Sequence, residues 1–133
     1  MTVSAYEFSG GSMSDIVTPA MVERRLYDLS KEVDTANTEL GMAEAQYLTA
    51  KAKYEVEMAR SRLENAYKSA PNGKNYTVGE REDLALVANA SLHMEMATAE
   101  ITVRASRANA QRVRTQVDLA RSIGTSVRTS MEV

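Results

Sequence analysis

A chain of 133 residues with one Phe, no Trp and six Tyr has little aromatic bulk for an ordinary globular core, so its 44% hydrophobic content must come mostly from Ala, Val, Leu and Met, the set used by closely packed helices. The absence of cysteine excludes a disulfide frame and thiolate chemistry. The net charge of −2 is uneven: residues 1–50 hold three bases against eight acids, and residues 51–133 hold 13 bases against 10 acids. A mildly acidic whole argues against a nucleic-acid coat, yet a local basic stripe can still engage phosphates. No apolar run approaches the roughly 18 residues of a membrane span. Residues 1–15 lack the basic end and apolar stretch of a signal peptide, so the chain reads as cytoplasmic.

Residues 1–17, which include Ser9-Gly10-Gly11-Ser12, read as a flexible N-terminal arm. Thr18-Pro19 then supplies a helix start, with Thr as N-cap and Pro at the first helical position, where its missing N–H costs nothing. Val22, Leu26, Leu29, Val33, Ala36, Leu40, Ala43, Tyr47, Ala50 and Tyr54 follow in alternating steps of four and three, the seam of a helix packed in coiled-coil fashion. Gly41 sits within this helix and marks either a bend or a close helix contact. The repeat slips near Glu57, and the spacing predicts that it resumes as Val56, Ala59, Leu63, Ala66 and Ala70. Pro71-Asn72-Gly73 ends the helix in a turn.

Thr77-Val78-Gly79-Glu80 has capping-box spacing, and Glu80, Glu82 and Asp83 suit the positive end of a second helix. Its seam runs Met96, Ala99, Val103, Ser106, Ala110, Val113, Val117, Ala120, Gly124, Val127 and Met131. The expected fold is therefore all-α: a hairpin over 18–133, with helices at about 19–69 and 80–130 around a turn at about 70–79. In an antiparallel coiled-coil-like pairing, facing residues have numbers adding to about 149. Both seams then slip together, near Tyr54 and Met58 on one helix and Ser91, Met94 and Met96 on the other, where Met and Tyr form an adaptable patch. Alanine-rich seams bury little area, which predicts an oligomer, or docking on a partner.

Nothing in the chain calls for catalysis, a metal or a cofactor. The single His93 has no second ligand in helical register beyond scattered acids, and there is no Gly-rich phosphate loop or nucleophile elbow. Two basic groups remain. Arg107, Arg114, Arg121 and Arg128 recur every seven residues, which keeps them on one side of a helix about 10 Å apart. Antiparallel pairing sets this row against Ser30, Asn37, Glu44 and Lys51, of which only Glu44 can neutralise an arginine, Arg107. The ladder is either a solvated or intersubunit face, or a phosphate-binding one. Nearer the turn, Lys51, Lys53, Arg60, Arg62, Lys68 and Lys74 accompany Tyr54, Tyr67 and Tyr76. Cations for the backbone and flat rings for unstacked bases are what single-stranded nucleic acid requires, and Tyr67 and Tyr76 lie outside the seam.

The stretch from Val117 through Asp118, Arg121, Ser122, Gly124 and Val127 to Arg128 resembles the end of the phage recombination mediators of the UvsY family, whose pattern there is Asp, two residues, a base, Ser, any, Gly, two residues, an aliphatic and a base. Upstream, Glu44-Ala45-Gln46 and Lys51-Ala52-Lys53 are similar to that family's Glu-Ala-Gln and its basic single-strand contact, with a spacing one residue different and a lysine in place of an arginine. Tyr67-Lys68-Ser69 before a Gly-containing loop is a further likeness. The resemblance covers about residues 43–128. It implies a small helical protein that assembles into a ring-like homo-oligomer and binds single-stranded DNA. Such a protein helps a RecA-like recombinase displace single-strand-binding protein. Lys51 and Lys53 match the basic pair, with Arg60-Ser61-Arg62 a rival for the role.

The leading expectation is thus a non-enzymatic recombination mediator that holds single-stranded DNA on basic surfaces. The alternative is a structural or adaptor coiled coil that binds protein and no nucleic acid. A membrane-surface helix pair is disfavoured because no Trp or Phe anchors adjoin the ladder.

Overall fold

In the computed structural model, which describes residues 16–132, three helices account for most of the described residues: α1 over Pro19–Ala66, α2 over Val78–Ala88 and α3 over Ala90–Met131. Most of the expected arm, residues 1–15, lies outside the described residues. Thr18 starts α1 as its residue type predicts, its Oγ1 accepting the N–H of Met21 at 3.2 Å. Thr77 does the same for α2 through a full capping box. Its hydroxyl accepts the Glu80 N–H at 3.2 Å, and its own N–H donates to the Glu80 carboxylate at 3.1 Å.

Two of the expected boundaries are corrected. Helix α1 stops at Ala66 rather than near 69, because the N–H groups of Tyr67 and Lys68 turn to the carbonyls three residues back, at 3.2 and 3.3 Å, and close the last turn tightly. The connection is then a small hairpin rather than a plain turn. Ser69 and Asn75 form an antiparallel bridge, Ala70 N–H donates to Lys74 O at 2.8 Å, and Gly73 N–H donates to Ala70 O at 2.9 Å. Gly73, at φ 78°, takes the left-handed position this loop requires, and Asn72 Oδ1 accepts the Lys74 N–H at 3.0 Å. The second helix is also not continuous. Asn89, at φ −112° and ψ 22°, leaves helical geometry and separates α2 from α3.

The described residues divide into a terminal unit, 16–39 with 107–132, and a turn unit, 40–106. Within the terminal unit α1 and α3 pack antiparallel. Val22, Leu29 and Ala36 are buried with Ala110, Val113 and Ala120, while Leu26, Val33 and Val117 are half-buried, as the seam predicts. Close approach falls at Gly124, where an added Cβ would lie 2.9 Å from Val22 Cγ1. Gly41 is exposed, and an added Cβ there would meet nothing within 4 Å among the described residues, so it marks no close helix contact, and α1 runs on through it. Arg25 is buried here too. Its Nη2 donates to Gln116 Oε1 at 3.4 Å, while its Nη1 has no partner among the described residues.

In the turn unit the first seam holds through Leu40, Ala43, Tyr47, Ala50 and Tyr54, all buried or half-buried. Beyond it the expected continuation is overturned: Val56 and Leu63 are 55% and 64% exposed, and Ala59 is exposed. Buried Met58 and Asn65, with half-buried Ser61, take the inner face instead. The slip is a single step of four inserted after Tyr54, not a rotation of the whole apolar stripe. The opposite seam does not slip. Ala85, Asn89, Leu92, Met96, Ala99 and Val103 keep alternating steps through the helix break at Asn89. Met94 points out at 68% exposure, and His93 instead meets Tyr54 edge-on, with ring centroids 5.4 Å apart. Contacting residues have numbers adding to 146 for Val22 with Gly124, 147 for Tyr54 with His93 and 150 for Ser61 with Asn89, close to the expected 149.

Candidate nucleic-acid interface

All four ladder arginines lie on α3 in the terminal unit, and all four are exposed. Their helix holds them in a row because seven residues is nearly two turns. The opposing row is as the register requires: Arg114 Nη2 donates to Asn37 Oδ1 at 3.5 Å. That neutral amide removes no charge. Ion pairs among the described residues join Arg60 to Glu57, Arg62 to Glu82 and Arg104 to Glu100, and none includes Arg107, Arg114, Arg121 or Arg128. Residues 107–131 of α3 carry these four and Arg112 against the single acid Asp118. Arg121 and Arg128 also border a shallow groove of about 350 Å3 floored by Val22, Leu26 and Gly124. Glu23 shares that groove without pairing to either.

The basic cluster of the turn unit is less uniform than its sequence. Arg62 binds Glu82 through two hydrogen bonds at 2.7 and 2.8 Å, and Arg60 binds Glu57 at 2.6 Å. The hydrogen bonds hold the Arg62 guanidinium above its ordinary pKa and the Glu82 carboxyl below its own, with partial desolvation opposing each shift. Lys51, Lys53, Lys68 and Lys74 are exposed and form no ion pair among the described residues. Tyr67 is 89% exposed and available for stacking, while Tyr76 is half-buried. Tyr54 is half-buried against His93, in keeping with a seam role.

Lys53 and Glu95 lie at opposite sides of a groove of about 650 Å3 between α1 and α3, lined by the small residues Ala45, Thr49, Ala50, Thr98, Ala99 and Thr102 with Gln46. The sequence reading missed the outer face of this unit. Ala45, Leu48, Ala52, Val56, Ala59 and Leu63 form an exposed apolar row on α1, and Leu84, Val87, Met94 and Ile101 form another on α2 and α3. The signal was present, since Val56, Ala59 and Leu63 of the expected resumed seam belong to the first row, which extends back to Ala45, while Ala66 is half-buried and Ala70 buried.

Among the described residues no group of three or more His, Cys, Asp or Glu is placed to hold a metal ion, and no helix is long and apolar enough to cross a membrane. In comparisons with known proteins, no family model, no curated protein and no solved structure matches the chain.

Proposed function

We propose that this protein is a non-enzymatic recombination mediator that binds single-stranded DNA as a homo-oligomer and helps a RecA-like recombinase replace single-strand-binding protein. The observation that carries the DNA-binding part is the ladder: four exposed arginines at a seven-residue repeat, none paired with a carboxylate among the described residues. Guanidinium groups bind phosphate oxygens bidentately, and a row of them follows a backbone without reading its bases. Lys51, Lys53, Lys68, Lys74 and Tyr67 offer a second surface of cations and one exposed ring. Arg60 and Arg62 contribute less, because each must first give up a carboxylate. The recombinase and single-strand-binding protein enter through the resemblance to the phage mediator family.

A second reading, a coiled-coil adaptor, is favoured by the apolar rows on the outside of the turn unit, which suit a protein partner. Titration of labelled single-stranded and double-stranded oligonucleotides at two salt concentrations separates the two. A mediator binds the single strand with an affinity that falls steeply with salt. A protein with no affinity for single strands at low salt is an adaptor.

A further inference from the structure

The two outer rows of the turn unit match each other better than either matches itself. On α1, Leu48, Val56 and Leu63 are 62%, 55% and 64% exposed, with alanines between them at helical spacing. On α2 and α3, Val87, Met94 and Ile101 are 78%, 68% and 64% exposed at intervals of seven. Each row is about 26 Å long, from Ala45 to Leu63 and from Leu84 to Ile101. Single exposed apolar side chains are ordinary, but two rows repeating at helical period call for cover.

Charge decides what covers them. Between residues 45 and 63 lie Lys51, Lys53, Arg60 and Arg62, against Glu55 and Glu57. Between residues 84 and 101 there is no base, and Glu95 and Glu100 lie in that stretch with Asp83 immediately before it. Arg60 is paired with Glu57, Arg62 with Glu82 and Glu100 with Arg104. The first row thus keeps Lys51 and Lys53 against Glu55, the second keeps Glu95 with Asp83, and packing either row on its own copy sets like net charges together. Unlike rows bring opposite net charges together.

We infer that the outer row of α1 in one copy docks on the outer row of α2 and α3 in a second copy. This names the contact behind the self-association in the proposed function and rests on that reading. The contact is heterologous, so each dimer keeps one free row of each kind, and association continues until it closes on itself or extends as a filament. Lys51 and Lys53 then border a subunit contact, and the phosphate-binding role falls to the ladder.

The test is complementation between blocked faces. One variant carries Val56→Glu with Leu63→Glu, and a second carries Met94→Lys with Ile101→Lys. All four residues are exposed, so both variants keep their helix content by circular dichroism; if one does not, serine at the same positions replaces the charges. In sedimentation at micromolar concentration without DNA, the unaltered protein is an oligomer larger than a dimer, and each variant alone is a monomer. Their equimolar mixture is a 1:1 dimer and nothing larger, because only one intact row of each kind remains. A monomeric unaltered protein overturns the inference, as does a variant that dimerises alone or a mixture that stays monomeric. None of these outcomes bears on DNA affinity, which the oligonucleotide titration reads separately.

Discussion

The side-chain amide of Asn89 donates to Ser61 Oγ at 2.9 Å, across the seam of the turn unit. The same nitrogen donates to the Ala85 carbonyl at 2.8 Å, so its two hydrogens are both used, one within the helix and one between helices. Asn89 is only 6% exposed, and a buried amide that finds its acceptors in one alignment fixes register at a cost in stability. Asn89→Ala should destabilise the protein by about 1–2 kcal/mol. Ser61→Ala should cost less, and the double variant should fall short of the sum by roughly 0.5–1.5 kcal/mol. Urea unfolding at fixed protein concentration measures all three. Strict additivity would mean that the two side chains do not act on each other.

Glycine positions separate helix propensity from packing. Gly41 is exposed with open space around it, so Gly41→Ala should stabilise by about 1 kcal/mol. Gly124→Ala should not deliver that gain, because its Cβ would press on Val22 Cγ1 at 2.9 Å. Adding Val22→Ala should relieve the clash, though it removes a buried side chain of its own. Thermal midpoints that rise equally for both single variants would show that α1 gives way easily at Val22.

For the ladder, replacing Arg121 and Arg128 by Gln should weaken single-strand binding at every sequence tested. The slope of log affinity against log salt should become shallower by about 1.4 if two phosphate contacts are lost. Replacing Lys51 and Lys53 by Ala should change that slope less and chiefly reduce assembly. The reverse pattern would assign phosphate binding to the lysines and subunit contact to the ladder.

Acid should loosen one tie in the turn unit. The hydrogen bonds from Arg62 hold the Glu82 carboxyl below its ordinary range. Its folded pKa is thus lower than its unfolded one. The stabilisation it gives is complete above the unfolded value and disappears as pH falls through the folded value. Both side chains are exposed, so the effect is modest and shrinks with salt. From about pH 6 to about pH 3, the thermal midpoint of the unaltered protein should fall further than that of Glu82→Gln. Parallel curves would show that the pair contributes nothing to folding.

Repetition made much of the fold legible. Ten seam positions from Val22 to Tyr54 are buried or half-buried as their spacing predicts, because in this stretch apolarity and helical period agree. Both N-caps were readable from Thr18-Pro19 and Thr77-Glu80, since a capping side chain acts within one turn of its own backbone. Beyond Tyr54 the pattern misled, because two faces of α1 are apolar there and the inner one carries Ser61 and Asn65. Polar side chains at a seam are recognisable only once their partner is known, and Asn89 lies 28 residues from Ser61. The break in the second helix has the same origin. For the candidate site, the ladder was visible as a period, while the pairing of Arg62 with Glu82 depends on a register that local sequence does not display.

The small hairpin around Gly73 also sets an order of events. Arg62 and Glu82 are 20 residues apart along the chain, Ser61 and Asn89 are 28 apart, and Arg25 and Gln116 are 91 apart. Closing the longest of these loops directly costs about 1.3 kcal/mol more than closing the shortest, whereas each pair formed near the turn shortens the loop left for the next. Loop closure therefore favours pairing from the turn toward the termini, with fraying in the reverse direction. The arginine ladder lies on the stretch that zips last and frays first, so its backbone amides should exchange with solvent sooner than those beside Asn89, and a bound strand that bridges the ladder would act as the clasp.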